Sequence, residues 1–372
     1  MRAQSFHGEV NRLEARSSCF AGHGDERIHS EPVHPCHRPR KELPVCGKRN
    51  LYSPRIGKFV QDQPHERDLT LLNALPAVRA PAHVSVDKFR RYLFAAEYVG
   101  SYFEVFPILA NGSLGPAVFQ MKTVDNVGPK TATSAPLGSF AISAHEGPDG
   151  HPHQMEADPS NHWVVGSDAA QDRIYVWKLT VGGTPPLTPA AIPFVNTPAG
   201  DGPRHFAFHP NGVWMYSIQE EGDTIIFWRF NPATGSLTNE QQVSSLPPGF
   251  AGTVFTSEIR VSADGRFVYG VNRLNDTIGV FRIGHDGRLT QVSHALTLGD
   301  YPRIITIDPS GQFIVCGNQR ADNVTTFRIS REREREREDD DRSGESNRGH
   351  GSLTFTGNYT PVGSPSGMVF LI

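Results

Sequence analysis

Four stretches of this chain repeat one pattern: His151 to Trp177, Gly202 to Phe230, Ser257 to Ile283 and Tyr301 to Ile329. Each runs as a short apolar strand, a polar turn, a second apolar strand, a second polar turn and a third strand. The first turns read Asp158-Pro159-Ser160-Asn161, His209-Pro210-Asn211-Gly212, Ser262-Ala263-Asp264-Gly265 and Asp308-Pro309-Ser310-Gly311. Their last residues fall 51, 53 and 46 positions apart. A self-similar unit of this size, made only of strands, is the signature of a β-propeller blade. A length of 372 residues would otherwise suggest two or three domains. Blades stack into one ring, so the repeats predict a single all-β domain.

Composition removes several classes of function. The net charge of −3 leaves no basic footprint for nucleic acid. Cys19, Cys36, Cys46 and Cys316 are too few and too scattered for a disulfide framework, and their spacing fits no zinc template. Cys316 lies in an apolar strand and reads as a small core residue. No apolar run is long enough to span a membrane, and the N-terminus lacks the apolar core of a secretory signal. The expected compartment is the cytoplasm. No metal and no cofactor is expected.

Residues 1–67 differ from the rest. They are rich in Arg, His, Pro and Cys, show no sustained alternation, and are expected to form a disordered arm. Their bias is also that of a non-native reading frame or a wrong start. Within them Tyr52 to Val60 is the one candidate strand, weakened by Pro54 and Gly57. Alternation begins at Leu69 to Asn73, an outer strand, and residues 68–372 are assigned to the propeller. A first blade follows at His83 to Asp87, Tyr92 to Ala96, Phe103 to Phe106 and Ala117 to Gln120. A long polar connection covers 121–150. The charged run Arg331 to Asp341 lies in an insertion, 331–350, expected to be exposed; its i,i+4 charge pairs would suit a short helix. Pro365 to Phe370 reads as the inner strand of one further blade. The expectation is about five full blades and a partial one.

Repeat order places the candidate site. The start of each first strand and the loop after each second strand lie on one face, beside the central channel. The strand starts carry His151 and His153, Arg204 and His205, Glu258, and Arg303. The loops carry Glu97 and Tyr98, Asp168, Gln219 and Glu220, Asn272 and Arg273, and Asn318 and Gln319. By alternation His205 should point between blades rather than with Arg204. Singly, each Arg is as readily a structural ion-pair partner, and the Asp and His209 of the first turns are turn chemistry. Together, convergent charges in a concave site are the usual mark of a small-molecule site.

These residues resemble the seven-bladed propeller lactonases, which include the propeller type of 6-phosphogluconolactonase and the carboxy-cis,cis-muconate lactonizing enzymes. The resemblance is carried by His151-Pro152-His153, Gly202 to Pro210, Ser257-Glu258-Ile259, Asn272-Arg273, Pro302-Arg303 and Asn318-Gln319, and covers about 69–330 and 352–371. It implies an active site of His153, Arg204, Glu220 and Arg273, with His151 a second candidate at the first strand. His151, Glu258, Arg303, Asn272, Asn318 and Gln319 are then expected to contact substrate. Three departures stand out. Gln219-Glu220-Glu221 replaces Asn-Glu-Leu, Glu97 replaces Asn in an Ala-Asn-Tyr run, and residues 1–67 replace the first blade.

Opening a lactone needs a base for water and donors for the oxyanion. His153 or Glu220 can supply the base. Arg204 and Arg273 can hold an oxyanion, phosphate or carboxylate through paired hydrogen bonds. The same groups could close a lactone by cyclising a muconate. A third reading is a propeller that only binds. The expected partner is a small lactone or carboxylate, with no nucleic acid and no membrane.

Overall fold

The computed structural model describes residues 55–61, 69–125, 148–250, 252, 254–330 and 351–370. The expected disorder of most of the N-terminal arm, and the exposed or helical insertion near Arg331, lie outside the described residues. So does most of the 121–150 connection.

The described residues form five four-stranded antiparallel sheets and one two-stranded sheet, with no helix among them. Blade I comprises β3 (Pro81–Val86), β4 (Tyr92–Glu97), β5 (Tyr102–Pro107) and β6 (Phe119–Lys122). Blade II comprises β7 (Pro152–Ala157), β8 (Trp163–Asp168), β9 (Arg173–Leu179) and β10 (Leu187–Asn196). Blade III comprises β11 (Pro203–Phe208), β12 (Trp214–Gln219), β13 (Thr224–Phe230) and β14 (Leu237–Ser244). Blade IV comprises β15 (Thr256–Val261), β16 (Phe267–Asn272), β17 (Thr277–Ile283) and β18 (Leu289–Leu296). Blade V comprises β19 (Pro302–Ile307), β20 (Phe313–Asn318), β21 (Asn323–Ile329) and β22 (Leu353–Pro361). Ahead of them, β1 (Arg55–Gln61) pairs with β2 (Leu69–Pro76). β1 falls within 1–67, over the one strand candidate there, so the sheet begins earlier than the alternation that becomes legible at Leu69.

The turn chemistry repeats with the blades. Asp158 Oδ1 accepts from the backbone N–H of His162 and Trp163 at 2.9 and 2.7 Å, and Asp308 Oδ1 does the same for Gln312 and Phe313 at 2.8 and 2.7 Å. Ser262 Oγ fills that role in blade IV. These carboxylates and hydroxyls are turn locks, as read from sequence.

Successive blades pack through apolar faces. Phe94 and Phe103 of blade I meet Met155, Val164 and Trp177 of blade II, and similar clusters join II to III, III to IV and IV to V. Gly166 is needed where it stands. A Cβ there would lie 2.7 Å from the Phe103 ring and 2.9 Å from that of Trp177. The inner strands follow one another in the order β3, β7, β11, β15 and β19.

The ends of this arc differ from its middle. On the side away from β7, β3 leaves Val84 and Val86 50% and 47% exposed. β2 is tied to blade I by Asn73, whose amide exchanges two hydrogen bonds with the Leu114 backbone at 2.8 and 3.0 Å. The sequence predicts an inner strand at Pro365 to Phe370. The tail forms no strand there; instead Met368 and Phe370 pack on Val315, Val324 and Val362. The described residues offer no neighbouring strand for it to pair with, so its backbone has no ladder to join.

One interaction ties each of blades II to V to the chain that follows it. Asp172, Asp223, Asp276 and Asp322 each follow a second strand and adopt positive φ, between 50° and 52°. Asp is among the few residues that tolerate this conformation. From it, Asp172 accepts from the N–H of Gly200 and Gly202 at 2.7 and 2.9 Å, and Asp223, Asp276 and Asp322 accept from Val254, Tyr301 and Ser364 at 3.0, 2.9 and 2.8 Å. Asp172→Ala removes two charge-assisted bonds and places Ala in a disfavoured conformation, an expected loss of about 3 kcal/mol. Asp172→Asn keeps the backbone preference and should lose less than half of that. The midpoints of urea unfolding check both, and equal losses would show that the carboxylate staple is not what matters.

Candidate active site

A bulge in every inner strand builds the mouth of the channel. Pairing slips by one residue between Pro81 and His83, Pro152 and Gln154, Pro203 and His205, Thr256 and Ile259, and Pro302 and Ile304. The extra residue is Ala82, His153, Arg204 or Arg303 in four blades, and falls at Ser257 or Glu258 in blade IV. A bulge frees its side chain from the alternation of the strand. Three predicted site residues therefore occupy equivalent positions in three blades.

The loop after each second strand supplies the facing set. In register order these are Tyr98, Ala169, Glu220, Arg273 and Gln319, each one residue beyond the end of β4, β8, β12, β16 or β20. Glu220 lies between two arginines. Its Oε1 accepts a hydrogen bond from Arg273 Nη2 and lies 3.7 Å from Arg204 Nε. Its Oε2 is buried with no hydrogen-bond partner. Within Gln219-Glu220-Glu221, Glu220 is thus a carboxylate that bridges the two arginines. Burial raises the Glu220 carboxyl, but Arg273 and Arg204 outweigh it and hold it below its ordinary value.

Arg273 is fixed on every side. Its Nε donates to Phe255 O at 2.7 Å, Nη1 to Tyr301 Oη at 3.2 Å and Nη2 to Thr256 O at 3.2 Å. The guanidinium also lies 5.3 Å from the Tyr301 ring centre and 5.8 Å from that of Phe255. Phe255 and Tyr301 each precede an inner strand with positive φ, 50° and 59°. The blade III equivalent is Gly202, φ 65°, the residue suited to that conformation. Two bulky aromatics there carry backbone strain of order 1–3 kcal/mol each, a feature concentrated at functional sites.

Arg204 is buried and donates through Nη1 to Ser257 O. Burial, together with Arg303 and Arg273, lowers it to about 9 against the pull of Glu220. Arg303 is partly exposed, and no hydrogen bond or carboxylate within salt-bridge distance engages its guanidinium among the described residues. His153 is buried, its Nδ1 has no hydrogen-bond partner, and burial, Arg204, His205 and Arg303 hold it well below the ordinary histidine range. Tyr98 packs against His151 and His153, with ring centres 4.3 and 5.5 Å apart.

The structure thus brings His153, Arg204, Glu220, Arg273 and Arg303 together, with His151 beside them against Tyr98. Gln319 occupies the register position of Glu220 and Arg273 in blade V. Three expectations need correction. Asn272 and Asn318 do not face the mouth. Both are fully buried, Asn272 bonding Ser245 and Thr277 and Asn318 bonding Asn323 and Thr325, so they lock the turn. Glu258 lies one layer below the mouth. Its Oε1 is 3.1 Å from His205 Nδ1 and accepts from Ile259 N at 3.0 Å, while Arg260 Nη2 approaches Oε2 at 3.4 Å. His205 points into the channel rather than between blades, because the bulge at Arg204 reverses the alternation. Its ring lies 4.9 Å from that of His153 and 5.5 Å from that of His83.

Sequence reasoning placed Tyr98 at the mouth without giving it a role, and left Tyr301 out of the site. Tyr98 has the same offset from a second strand as Glu220, which was the available signal. Among the described residues no group of three or more His, Cys, Asp or Glu is arranged to hold a metal ion.

Comparison with known proteins identifies the family. Residues 56–341 match the family described as lactonase, 7-bladed β-propeller. The 6-phosphogluconolactonase of Bacillus subtilis (strain 168) is 32% identical over 272 residues, 71% of each chain. The chain belongs to the seven-bladed propeller lactonase family. The 6-phosphogluconolactonase of Pectobacterium carotovorum is 29% identical over 251 residues, 67% of each chain. Among solved structures, the periplasmic gluconolactonase of Pseudomonas aeruginosa superposes with a TM-score of 0.67 at 25% identity, covering 82% of this chain and 77% of that one. A protein of Bacteroides fragilis described as a putative 6-phosphogluconolactonase gives 0.69 at 23% identity, covering 84% and 79%, which bears on the fold alone.

The layer beneath the mouth makes the lactonase fold acid-sensitive. Burial holds His205 down to about 4 from 6.5, with Glu258 pulling upward and Arg204 downward. Burial raises Glu258, but Arg260 and His205 outweigh it and bring it from 4.5 to about 2. The unfolded chain therefore binds more protons at His205 below pH 6.5, and more at Glu258 below pH 4.5. The contribution of this pair to stability should be level above pH 7 and fall with acidification at about 1.4 kcal/mol per pH unit for each proton. His205→Gln should flatten the portion between pH 6.5 and 4. Unfolding free energies measured across that range test it, and an unchanged slope would remove His205 from the account.

Proposed function

We propose that this chain hydrolyses a sugar lactone carrying an anionic group, with 6-phosphogluconolactone the first substrate to test. The observation that carries the proposal is the charge balance at the mouth. Arg204 and Arg273 pair with one carboxylate, Glu220, and Arg303 adds a third guanidinium, beside a buried imidazole with an unpartnered nitrogen. An excess of guanidinium suits a phosphate and the oxyanion of an acyl-transfer step. The relatives named 6-phosphogluconolactonase favour hydrolysis over cyclisation of a muconate.

Each group has a role in this reading. Glu220 keeps Arg204 and Arg273 aimed at the mouth. A carboxylate so paired is a weak base, which leaves proton transfer to His153. Water forms its bond to the lactone carbonyl carbon as His153 takes its proton. The carbonyl oxygen becomes an oxyanion facing the guanidinium groups. The ring C–O bond then breaks, and the proton passes from His153 to the departing oxygen, giving the open hydroxy acid.

His153→Asn should lower kcat about 10²- to 10⁴-fold with little change in KM, since a base acts in the transition state. Arg273→Gln should raise KM and lower kcat, about ten- to a hundredfold in kcat/KM for each charge-assisted hydrogen bond to substrate that it removes. Steady-state kinetics on 6-phosphogluconolactone measure both. A His153 variant that changes only KM would remove it as the base. Failure of the parent protein to hydrolyse any lactone would leave the binding-only reading.

A further inference from the structure

Arg303 stands apart from the other two arginines at the mouth. Arg204 and Arg273 share Glu220 and donate to backbone carbonyls. Arg303 has neither kind of partner among the described residues, although it leaves the bulge of β19 at the position that holds His153 in β7 and Arg204 in β11. An unpaired guanidinium, partly open to solvent, at the rim of a concave site is poised for an anion from outside the protein.

His153 feels that same charge. Tyr98 packs against it at the rim together with His151, His205 lies 4.9 Å away, and Arg204 and Arg303 leave the equivalent bulges of β11 and β19 around the same channel, their charge opposing protonation of the imidazole. His83 and Glu258 lie beyond His205, and Glu220 and Arg273 beyond Arg204. Glu258 is taken up by His205 and Arg260, and Glu220 by two arginines. The uncancelled field at His153 is therefore positive, and in an empty site it opposes taking a proton.

Resting on the lactonase reading above, we propose that Arg303 is the specificity-determining residue. A phosphate dianion seated on it cancels the positive field over His153 and turns that imidazole into a working base. Phosphate on the substrate would then act on the chemical step as well as on binding. A neutral sugar lactone would enter the same mouth and meet a His153 that cannot hold the proton. Selectivity gained this way appears in kcat, where binding alone would leave it in KM.

The test reads the coupling without relying on turnover. The His153 imidazole is followed by NMR in protein labelled at histidine, assigned by its loss in His153→Asn, and titrated against pH at constant ionic strength with and without inorganic phosphate. Neutralising the Arg303 charge should raise its midpoint, by about one pH unit. In Arg303→Gln the midpoint without phosphate should already be higher, and phosphate should move it much less. Kinetics supply the second arm. In Arg303→Gln the ratio of kcat for 6-phosphogluconolactone to kcat for glucono-δ-lactone should fall about tenfold or more, and Arg303→Lys should restore part of it. A His153 midpoint indifferent to phosphate, or a ratio unchanged in Arg303→Gln, overturns the proposal even if the enzyme is an active lactonase. A midpoint that responds to phosphate in a protein that opens no lactone would keep the anion coupling and sink the lactonase reading.

Discussion

One extra residue in the innermost strand of each blade decides what faces the channel mouth. Without the bulge, the inner strands would alternate, and His153, Arg204 and Arg303 would follow their neighbours into the sheet-to-sheet packing. The slip after Pro152, Pro203 and Pro302 instead releases one side chain per blade from the pleat. The proline suits this point. It cannot donate to a ladder, so it belongs where regular pairing starts or fails. The apolar interfaces built around Phe103, Trp177, Trp228 and Phe281 then hold five such positions in register. Site geometry thus follows from packing far from the site.

The blades were legible because their turn chemistry is local. An Asp or Ser that caps its own turn can be read from a few neighbouring residues, and the repeats announce themselves. The mouth was legible to the extent that strand order fixes which ends share a face. What escaped was the direction of side chains beside the bulge. A period of two carried through Arg204 sends His205 between blades, and only the slipped pairing, a tertiary fact, turns it toward His83 and His153. Glu258 was misplaced for the same reason. Asn272 and Asn318 were read as ligands because a polar residue ending a strand serves a substrate or a turn equally well. Thr277 and Thr325, five and seven residues later, were the partners that could have decided it. The two ends of the arc could not be read at all from repeats. The pairing of β1 with β2 and the seating of Met368 and Phe370 depend on what lies beside them in space.

Neighbouring register positions divide structure from chemistry. The last residue of each second strand is Glu97, Asp168, Gln219, Asn272 or Asn318, and all five are fully buried. Each can bond the backbone or a nearby hydroxyl, and all five are so engaged: Glu97 accepts from Arg79 N at 2.6 Å, Asp168 accepts from His151, Ala170 and Gln171, and Gln219 donates to Ser217 Oγ at 2.7 Å. Burial pushes the Glu97 carboxyl up to about 8. A carboxylic acid that stays neutral can take the place of an amide, which explains how Glu97 stands where the family has Asn. The very next residue is Tyr98, Ala169, Glu220, Arg273 or Gln319, and these meet the mouth.

That division sets how such a site can change. A substitution at the buried position disturbs a turn and the blade it closes. A substitution one residue later alters only what the mouth presents, because its backbone is already fixed by the position before it. The arginines fit this division less simply. Arg273 comes from the loop set, whereas Arg204 and Arg303 come from the bulges, and they are brought within reach of one another only because the two sets face the same channel. Glu220 offsets part of their repulsion by pairing with two of the three. The third has no ion-pair partner among the described residues, and a cation without one beside a buried imidazole costs stability. Such a cost persists in a fold when the binding of a ligand of opposite charge removes it. The strain at Phe255 and Tyr301 belongs to the same account, because it fixes Arg273 between two aromatic rings and so holds the mouth in one geometry.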